Sequence, residues 1–261
     1  MKEIYREALG LIDLTSLNPT DTPSKIEAMV RKVNDFHNVY PQYPLPASIC
    51  VFPNFASVVK NTRNDADVHV TVVGGCFPAS QSPLEVKLLE CTTAVAEGAD
   101  EVDIVLALNA FLEHRYDAAG NEIAQIGKAI RAVNPDVHLK VILETGALKE
   151  KALIEDASYL AMESGADFIK TSTGKMQPAA TPEAAQIMCG CIKEYFAKTG
   201  TMVGFKPAGG IATADDAVLY YNIVKDILGP KWLNKRYFRF GASRMANNLL
   251  TALEGTEVKY Y

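Results

Sequence analysis

Two lysines lie in short apolar segments of the kind that form buried strands. Lys170 lies in residues 166–174 (ADFIKTSTG), and Lys206 lies in residues 202–210 (MVGFKPAGG). Lysine is rarely fully buried without a partner, because removing an ammonium group from water is costly. A buried lysine therefore tends to lose its proton, and the neutral amine is a nucleophile. The pattern predicts covalent chemistry in which a lysine forms a Schiff base with a carbonyl group.

Asp103 and Lys140 place two further charges in apolar, strand-like segments. In a closed barrel of parallel strands, inward-facing residues at similar height converge on the axis. Four charges on four successive strands would then form one buried polar cluster, and such clusters are concentrated at active sites. A network of ion pairs that only supports the barrel core is the alternative.

Repulsion between two ammonium groups is one way to make a lysine neutral. With its ordinary pKa of about 10.4, lysine is neutral in about one molecule in 2,500 at pH 7. A second ammonium about 6 Å away, at an effective dielectric near 20, lowers the pKa by about two units, and modest desolvation lowers it by about one more. We therefore expect a like-charged neighbour to be the main cause of the lowered pKa. The spacing does not decide which of Lys170 and Lys206 is the nucleophile. Asp103 would move the proton, and Lys140 would keep Asp103 ionised between transfers.

Small and hydroxyl residues follow the last three strand-like segments. In barrels of alternating strands and helices, the loops after strands seven and eight are the usual phosphate site, where glycine lets backbone N–H groups approach the oxygens. We therefore predict a phosphate site beside the lysines, formed by Thr173, Gly174, Gly209, Gly210, Gly241 and Ser243.

Eight apolar segments alternate with helical patterns along the whole chain. They are rich in β-branched and aromatic residues and are bounded by Gly, Pro or Asp. The segments cover residues 11–15, 47–52, 68–73, 101–106, 139–143, 168–171, 202–206 and 237–240. Landmark residues in five of them are spaced about 30 to 37 positions apart, which suits strand-plus-helix units. The pattern predicts an α/β fold, a (β/α)8 TIM barrel, as a single domain over residues 1–261 with a short N-terminal helical extension. A doubly wound open sheet is the alternative, but no G-x-G-x-x-G follows the first segment.

Helix boundaries are also marked in the sequence. Ser82 and Thr213 each precede an acidic residue at the spacing of a capping box, and Thr181 precedes a proline at the expected first helical position. We expect these three residues to begin helices.

Composition excludes several classes of protein. The chain has 261 residues, of which 48% are hydrophobic and 22% charged, and a net charge of −5 argues against a nucleic-acid or anionic-membrane surface. The polar start predicts no signal peptide, and we expect a cytoplasmic protein without a membrane span. Five cysteines lack a metal-like spacing and are interpreted as reduced thiols: Cys50, Cys76, Cys91, Cys189 and Cys191. Four histidines are scattered and predict no metal site: His37, His69, His114 and His138.

Several long motifs, in order, resemble those of the deoxyribose-phosphate aldolase family, class I aldolases with a (β/α)8 barrel. The resemblance extends from residue 12 to residue 261. The matching stretches are residues 12–18 (IDLTSLN), 98–104 (GADEVDI), 139–146 (LKVILETG), 167–175 (DFIKTSTGK), 203–210 (VGFKPAGG) and 239–243 (RFGAS).

The resemblance implies reversible cleavage of 2-deoxy-D-ribose 5-phosphate to acetaldehyde and D-glyceraldehyde 3-phosphate, in deoxyribose catabolism. It implies that Lys170 forms the Schiff base, that Lys206 lowers the pKa of Lys170, and that Asp103 is the acid/base residue. It also implies that Lys140 pairs with Asp103. No metal or other cofactor is expected, only a covalent imine on Lys170.

The resemblance also implies two further site residues and shows two departures. Asp13 corresponds to a polar residue of the barrel mouth, and the C-terminal Tyr261 to a tyrosine that reaches over the site and assists proton transfer. Ala212 stands where relatives often have an arginine, and Arg244 where they often have a second serine. We therefore expect the phosphate site to be rebuilt, with Arg244 supplying the charge.

Three other functions stay open at this point. The chain could be another Schiff-base barrel, transaldolase-like or type I dehydroquinase-like, although its motifs do not match theirs. It could be a non-catalytic barrel that binds a sugar phosphate, although the reactive lysines and Asp103 are all present. A metal-dependent class II aldolase is disfavoured by the lack of a ligand set. The expected partners are small aldehydes and a sugar phosphate, with no nucleic acid and no membrane, and the protein could form a homodimer.

Overall fold

Eight short parallel strands form the centre of the computed structural model, which describes residues 1–261. They are β1 (Ile12–Thr15), β2 (Ser48–Val51), β3 (His69–Gly74), β4 (Glu101–Val105), β5 (His138–Ile142), β6 (Phe168–Lys170), β7 (Gly204–Lys206) and β8 (Phe240–Ala242). Their order in the sheet is β7-β6-β5-β4-β3-β2-β1-β8. This is the predicted single-domain (β/α)8 barrel, and the alternative prediction of an open doubly wound sheet is wrong.

Backbone hydrogen bonds between β7 and the segment before β8 close the barrel. The Phe205 N–H donates to the Tyr237 carbonyl at 2.9 Å, and the Arg239 N–H donates to the Phe205 carbonyl at 3.1 Å. The eighth strand therefore lies later in the chain than the predicted residues 237–240. That segment pairs with β7 only through an isolated bridge at Phe238, and regular pairing with β1 begins at Phe240.

Eleven helices and two short 3₁₀ turns surround the barrel. The helices are α1 (Lys2–Leu9), α2 (Pro23–Val39), α3 (Ala56–Thr62), α4 (Leu84–Ala96), α5 (Leu108–Phe111), α6 (Tyr116–Val133), α7 (Thr145–Leu148), α8 (Lys151–Glu163), α9 (Pro182–Thr199), α10 (Ala214–Leu228) and α11 (Arg244–Glu254), and the 3₁₀ turns are Pro53–Phe55 and Pro230–Trp232. The first helix is the predicted N-terminal extension. None of the helices combines the length and apolar character needed to cross a membrane.

Two of the three predicted helix starts are confirmed. Thr181 accepts a hydrogen bond from the Ala184 N–H, and Thr213 forms a full capping box with Asp216. The prediction for Ser82 is wrong, because Pro83 has an extended backbone and the helix begins only at Leu84, without a side-chain cap.

The strands separate two buried layers. Outward-facing strand residues such as Val102, Leu139 and Ile169 join a cluster of 66 buried residues between the barrel and its helices. Residues that alternate with them face the barrel interior. Strand register then sets Asp103 beside Lys140, and Lys170 beside Lys206, so charges from four consecutive strands meet inside the barrel.

Candidate active site

Seven ionisable side chains fill the interior of the barrel, and none is more than 3% exposed. Four are cationic types and three are acidic: Lys140, Lys170, Lys206, Arg239, Asp13, Glu101 and Asp103. If one lysine is neutral, cations and anions are equal in number. Since unpaired charge is costly in a buried site, this composition favours one neutral lysine.

Asp103 is the centre of this ionic cluster. Its Oδ2 accepts hydrogen bonds from Lys170 Nζ at 2.8 Å and from Lys206 Nζ at 2.7 Å, and its Oδ1 accepts one from Lys140 Nζ at 3.0 Å. Burial raises the pKa of Asp103, but the three lysines together outweigh burial and hold the pKa well below its ordinary range. Asp103 is therefore an ionised carboxylate that contacts all three amines.

The three lysines differ in their ionisation. Burial lowers the pKa of each, yet contacts with Asp103 and Asp13 raise the pKa of Lys206 above its ordinary value, and Asp103 with Glu101 does the same for Lys140. Only Lys170 keeps a lowered pKa, because Asp103 offsets burial only in part and Lys206 repels the ammonium form. Burial is the larger cause and the like-charged neighbour the smaller one, which reverses the order expected from the sequence. The tertiary structure thus distinguishes Lys170 from Lys206, which spacing could not.

A cavity of about 240 Å³ opens above the cluster at the C-terminal ends of the strands. Lys170 lines it together with all seven residues predicted for the phosphate site: Thr173, Gly174, Gly209, Gly210, Gly241, Ser243 and Arg244. Lys175 adds a second cation to the same wall. The amine and the small-residue loops therefore share one cavity, as the sequence predicts.

Two of these positions have no space for a side chain. A Cβ atom on Gly209 would lie 2.7 Å from the Ala179 Cβ, and one on Gly241 would lie 2.6 Å from the Ala208 Cβ. Gly209 also has a φ of +87°, which favours glycine. Glycine is therefore required here for close packing of the loops, and this packing exposes backbone at the cavity wall.

Glu144 fixes the loop after β6, and sequence reasoning did not assign it a role. Its buried carboxylate accepts hydrogen bonds from the Thr173 N–H at 3.2 Å and from the Thr173 hydroxyl at 2.5 Å. The residue has a left-handed backbone with a φ of +56°, which is uncommon for a residue other than glycine. The hydroxyl at the cavity wall is thus held by a carboxylate from the neighbouring strand end.

Comparison with protein families matches residues 8–226 to the family described as DeoC/LacD family aldolase. The chain belongs to this aldolase family. Aldolases are carbon–carbon lyases, and the family membership is independent of the geometry described above.

Individual relatives agree with this membership. A Caenorhabditis elegans protein provisionally named deoxyribose-phosphate aldolase is 41% identical over 256 residues, which is 97% of this chain and 82% of the relative. A structure from Coccidioides immitis, with a similar provisional name, has 27% identity and a TM-score of 0.77 over 95% of this chain and 86% of that one. A deoxyribose phosphate aldolase from Aeropyrum pernix, described as tetrameric, has 25% identity and a TM-score of 0.74 over 97% and 92% of the two chains.

Asp13 of this aldolase does not lie at the barrel mouth, contrary to expectation. It is fully buried in the interior, where it contacts Lys206 and accepts a hydrogen bond from Arg239 at 2.6 Å. These two cations, together with Lys140, outweigh burial and lower the pKa of Asp13 to about 2. Its position follows from β1, which places Asp13 facing inward between β2 and β8.

Tyr261 of the aldolase does not reach over Lys170. Its ring stacks on Phe36 of α2 with centroids 5.5 Å apart, and its hydroxyl is buried without a hydrogen-bond partner. Asn247 holds the chain end, donating to the Tyr261 carbonyl at 2.8 Å and accepting from its N–H at 2.9 Å. The C-terminal segment is held against α2 because the aromatic ring of Tyr261 packs on an apolar surface. Tyr261 lines a neighbouring cavity of about 250 Å³, which also contacts Ser243 and Arg244.

Two members of the ionic cluster were missed by sequence reasoning, Glu101 and Arg239. Glu101 lies two residues before Asp103 on the same strand, so the period of two could have found it. Arg239 lies in the segment predicted as the eighth strand. Both are fully buried, and Arg239 Nη2 donates a hydrogen bond to Glu101 Oε1 at 2.6 Å.

Two of the four histidines are not scattered, contrary to expectation. His69 Nδ1 lies 2.7 Å from Glu101 Oε1, and His138 Nδ1 lies 3.9 Å from the same oxygen. Two histidines and a carboxylate are a common metal-ligand set. However, Lys140 and Arg239 donate to the same carboxylate, and their charges oppose the binding of a divalent cation there.

Proposed function

We propose that the protein is a 2-deoxy-D-ribose-5-phosphate aldolase that acts through a Schiff base on Lys170. The observation that supports this most directly is the pairing of Lys170, the one interior lysine with a lowered pKa, with Asp103 in a cavity lined by phosphate-type loops. The names of the relatives favour the same reaction. The activity belongs to deoxyribose catabolism.

In the direction of synthesis, Lys170 Nζ attacks the carbonyl carbon of acetaldehyde. A C–N bond forms, the carbonyl oxygen leaves as water after taking up two protons, and an iminium remains. Asp103, acting through a water molecule, removes a proton from the adjacent methyl group and leaves an enamine. Asp103 contacts Lys140, Lys170 and Lys206, so it lies close to the reacting carbon and its proton can return to the amines.

The enamine carbon then attacks the aldehyde carbon of D-glyceraldehyde 3-phosphate. A C–C bond forms, the new alkoxide takes up a proton, and water adds to the iminium and releases the sugar and the free amine. Lys206 is an ammonium when the substrate binds, because contacts with Asp103 and Asp13 outweigh burial and raise its pKa. It therefore repels the cationic form of Lys170 and supplies a proton donor beside the new oxygen.

The glycine loops and Arg244 bind the phosphate group in this proposal. Backbone N–H groups of Gly209 and Gly210 provide donors, and Arg244 at the start of α11 provides charge. Gly241 lines the same cavity, but its N–H donates to the Pro207 carbonyl at 3.0 Å. Arg244 thus supplies the positive charge that relatives often obtain from an arginine at the position of Ala212.

The reaction as proposed uses no metal and no cofactor other than the covalent imine on Lys170. The partners are small aldehydes and a sugar phosphate, and the location is cytoplasmic. Assembly as a homodimer is part of the proposal, with the tetrameric Aeropyrum relative as the alternative.

Reductive trapping tests the proposal. The protein is incubated with acetaldehyde and borohydride, digested, and mapped by mass spectrometry. We expect one ethyl adduct, on Lys170, and release of acetaldehyde from 2-deoxy-D-ribose 5-phosphate in a separate assay. A non-catalytic binding barrel would gain no adduct at Lys170. A different Schiff-base enzyme would gain the adduct but release no acetaldehyde from this sugar. An adduct on Lys206 instead would overturn the assignment.

A further inference from the structure

Glu101 forms the floor of the ionic cluster, at the end of the barrel opposite the cavity. The carboxylate is fully buried and accepts hydrogen bonds or ion-pair contacts from β3, from β5 and from the segment before β8. Its partners are Lys140 Nζ at 2.5 Å, Arg239 Nη2 at 2.6 Å and Nη1 at 3.1 Å, the Thr71 hydroxyl at 2.7 Å, His69 Nδ1 at 2.7 Å and His138 Nδ1 at 3.9 Å. The proposed reaction uses neither Glu101 nor Arg239.

A continuous path of ion pairs joins this floor to Lys170. Lys140 bridges Glu101 at 2.5 Å and Asp103 at 3.0 Å, and Asp103 in turn contacts Lys170. A second path runs from Arg239 through Asp13 to Lys206. Both paths are fully buried, so solvent screens them little.

We propose that Glu101 and Arg239 are positioning residues that orient Lys140 and Asp13 and fix the net charge of the barrel interior, so that Lys170 is the neutral member of the cluster. The inference rests on the proposed function in taking Lys170 as the reactive amine. Neither residue touches the substrate cavity.

The charge count gives the direction of each effect. With Lys170 neutral, the cations Lys140, Lys206 and Arg239 balance the three carboxylates. Loss of the Glu101 charge makes the interior more positive and disfavours ammonium on Lys170, whereas loss of Arg239 makes it more negative and favours ammonium. A unit charge about 10 Å away, at an effective dielectric near 20, shifts a titration by about one pH unit.

Groups on every neighbouring element take part in this balance. Those that face Lys170 are Asp103 on β4, Lys206 on β7, and Cys50 on β2. Those that face Glu101 are His69 on β3, Lys140 and His138 on β5, Arg239 before β8, and Asp13 on β1.

The test is the pH dependence of adduct formation on Lys170, measured with acetaldehyde and cyanoborohydride. We expect Glu101→Gln to move the midpoint about one unit to lower pH, and Arg239→Met to move it about one unit to higher pH. The double variant returns the midpoint close to that of the native protein, and Glu101→Asp, which keeps the charge, leaves it nearly unchanged. A purely structural role would lower adduct yield without shifts of opposite sign. Two shifts of the same sign, or none, overturn the proposal.

A milder pair of variants applies if Glu101→Gln or Arg239→Met does not fold. His69→Arg adds a permanent positive charge beside Glu101 at a side chain that is 30% exposed, and His37→Arg makes the same change at an exposed position on α2. We expect His69→Arg to lower the midpoint and His37→Arg to leave it unchanged. Equal midpoints in these two variants overturn the proposal. Absence of any adduct on Lys170 in the native protein would instead refute the proposed function.

Discussion

Leu139 and Lys140 are consecutive, fully buried residues of β5, yet they belong to opposite environments. Leu139 packs in the apolar layer between barrel and helices, and Lys140 lies in the ionic interior. Because side chains alternate between the two faces of a strand, two adjacent residues contribute to the apolar layer and to the ionic interior. The outer layer supplies hydrophobic stabilisation of about 25 cal/mol per Å² of buried apolar surface. The ion pairs of the interior stabilise the fold little more than apolar residues of the same volume would, because desolvation of the charges opposes their attraction, although breaking one pair is costly.

The largest expected effect comes from removing the reactive amine in the interior. Lys170→Met should lower kcat by at least about 10⁴-fold, as is typical when a nucleophile is lost. It should also abolish the trapped adduct. Lys87→Met is the matched control, since Lys87 is also buried but pairs with Glu122 and Ser80 between α4 and α6. The control should keep the adduct. An equal loss of activity in Lys87→Met would show that removing any buried lysine inactivates the protein, and that the effect is not specific to the barrel interior.

In the outer layer, Leu139→Ala should lower the free energy of unfolding by about 2–5 kcal/mol, because it leaves a cavity in a packed core. The pH dependence of adduct formation should stay the same, since Leu139 faces away from the ionic cluster. Urea denaturation gives the first quantity and trapping gives the second. A shifted pH profile would mean that the two layers are coupled through the strand.

Acid should weaken the interior selectively. The pKa of Asp13 is about 2 in the folded protein, below its unfolded value of about 3.9, so its contribution is complete above about pH 4 and is lost as the pH falls towards 2. The pKa values of Asp103 and Glu101 are lowered as well and act in the same direction. The free energy of unfolding should therefore drop by about 2 kcal/mol or more between pH 5 and pH 2. A flat profile in this range would contradict the ionised cluster, and Leu139→Ala should show the same slope as the native protein.

At the cavity rim, Arg244→Ala should raise KM for 2-deoxy-D-ribose 5-phosphate about tenfold, the order expected for one lost charge-assisted hydrogen bond. It should lower kcat less. With unphosphorylated deoxyribose the variant should match the native protein. Arg236→Ala removes another exposed positive charge at a different site and serves as the control. An unchanged KM would show that Arg244 does not contact the phosphate.

The smallest effect is expected for Tyr261→Phe. Because the Tyr261 hydroxyl is buried without a partner, its removal should leave the free energy of unfolding unchanged or raise it by up to about 1 kcal/mol. We expect kcat to change by less than about twofold. A much larger fall in kcat at unchanged stability would show that the tail moves and that this hydroxyl acts in proton transfer.

Local sequence patterns were enough to predict the barrel and much of the candidate site. The eight apolar segments with their turn residues predict the strands. The misplaced eighth segment shows the limit, since residues 237–240 include three aromatic side chains, which are typical of a strand, but the part before Phe240 has only one bridge to β7. The capping box at Thr213 is a short-range signal and was found. Glu101 has one local signal, its place two residues before Asp103, but its partners Arg239, His69 and Lys140 come from distant parts of the chain and no local pattern predicts them.

The sequence by itself determined which residues face the interior, because the period of a strand is set by backbone geometry, and it determined that lysines and aspartates would meet there. Only the tertiary structure decided their ionisation. Lys170 and Lys206 look alike in the sequence, but β1 brings Asp13 to Lys206 from 193 residues away. That contact keeps Lys206 charged and leaves Lys170 with the lowered pKa. A pKa reflects burial and every nearby charge, and those are fixed only when the barrel closes.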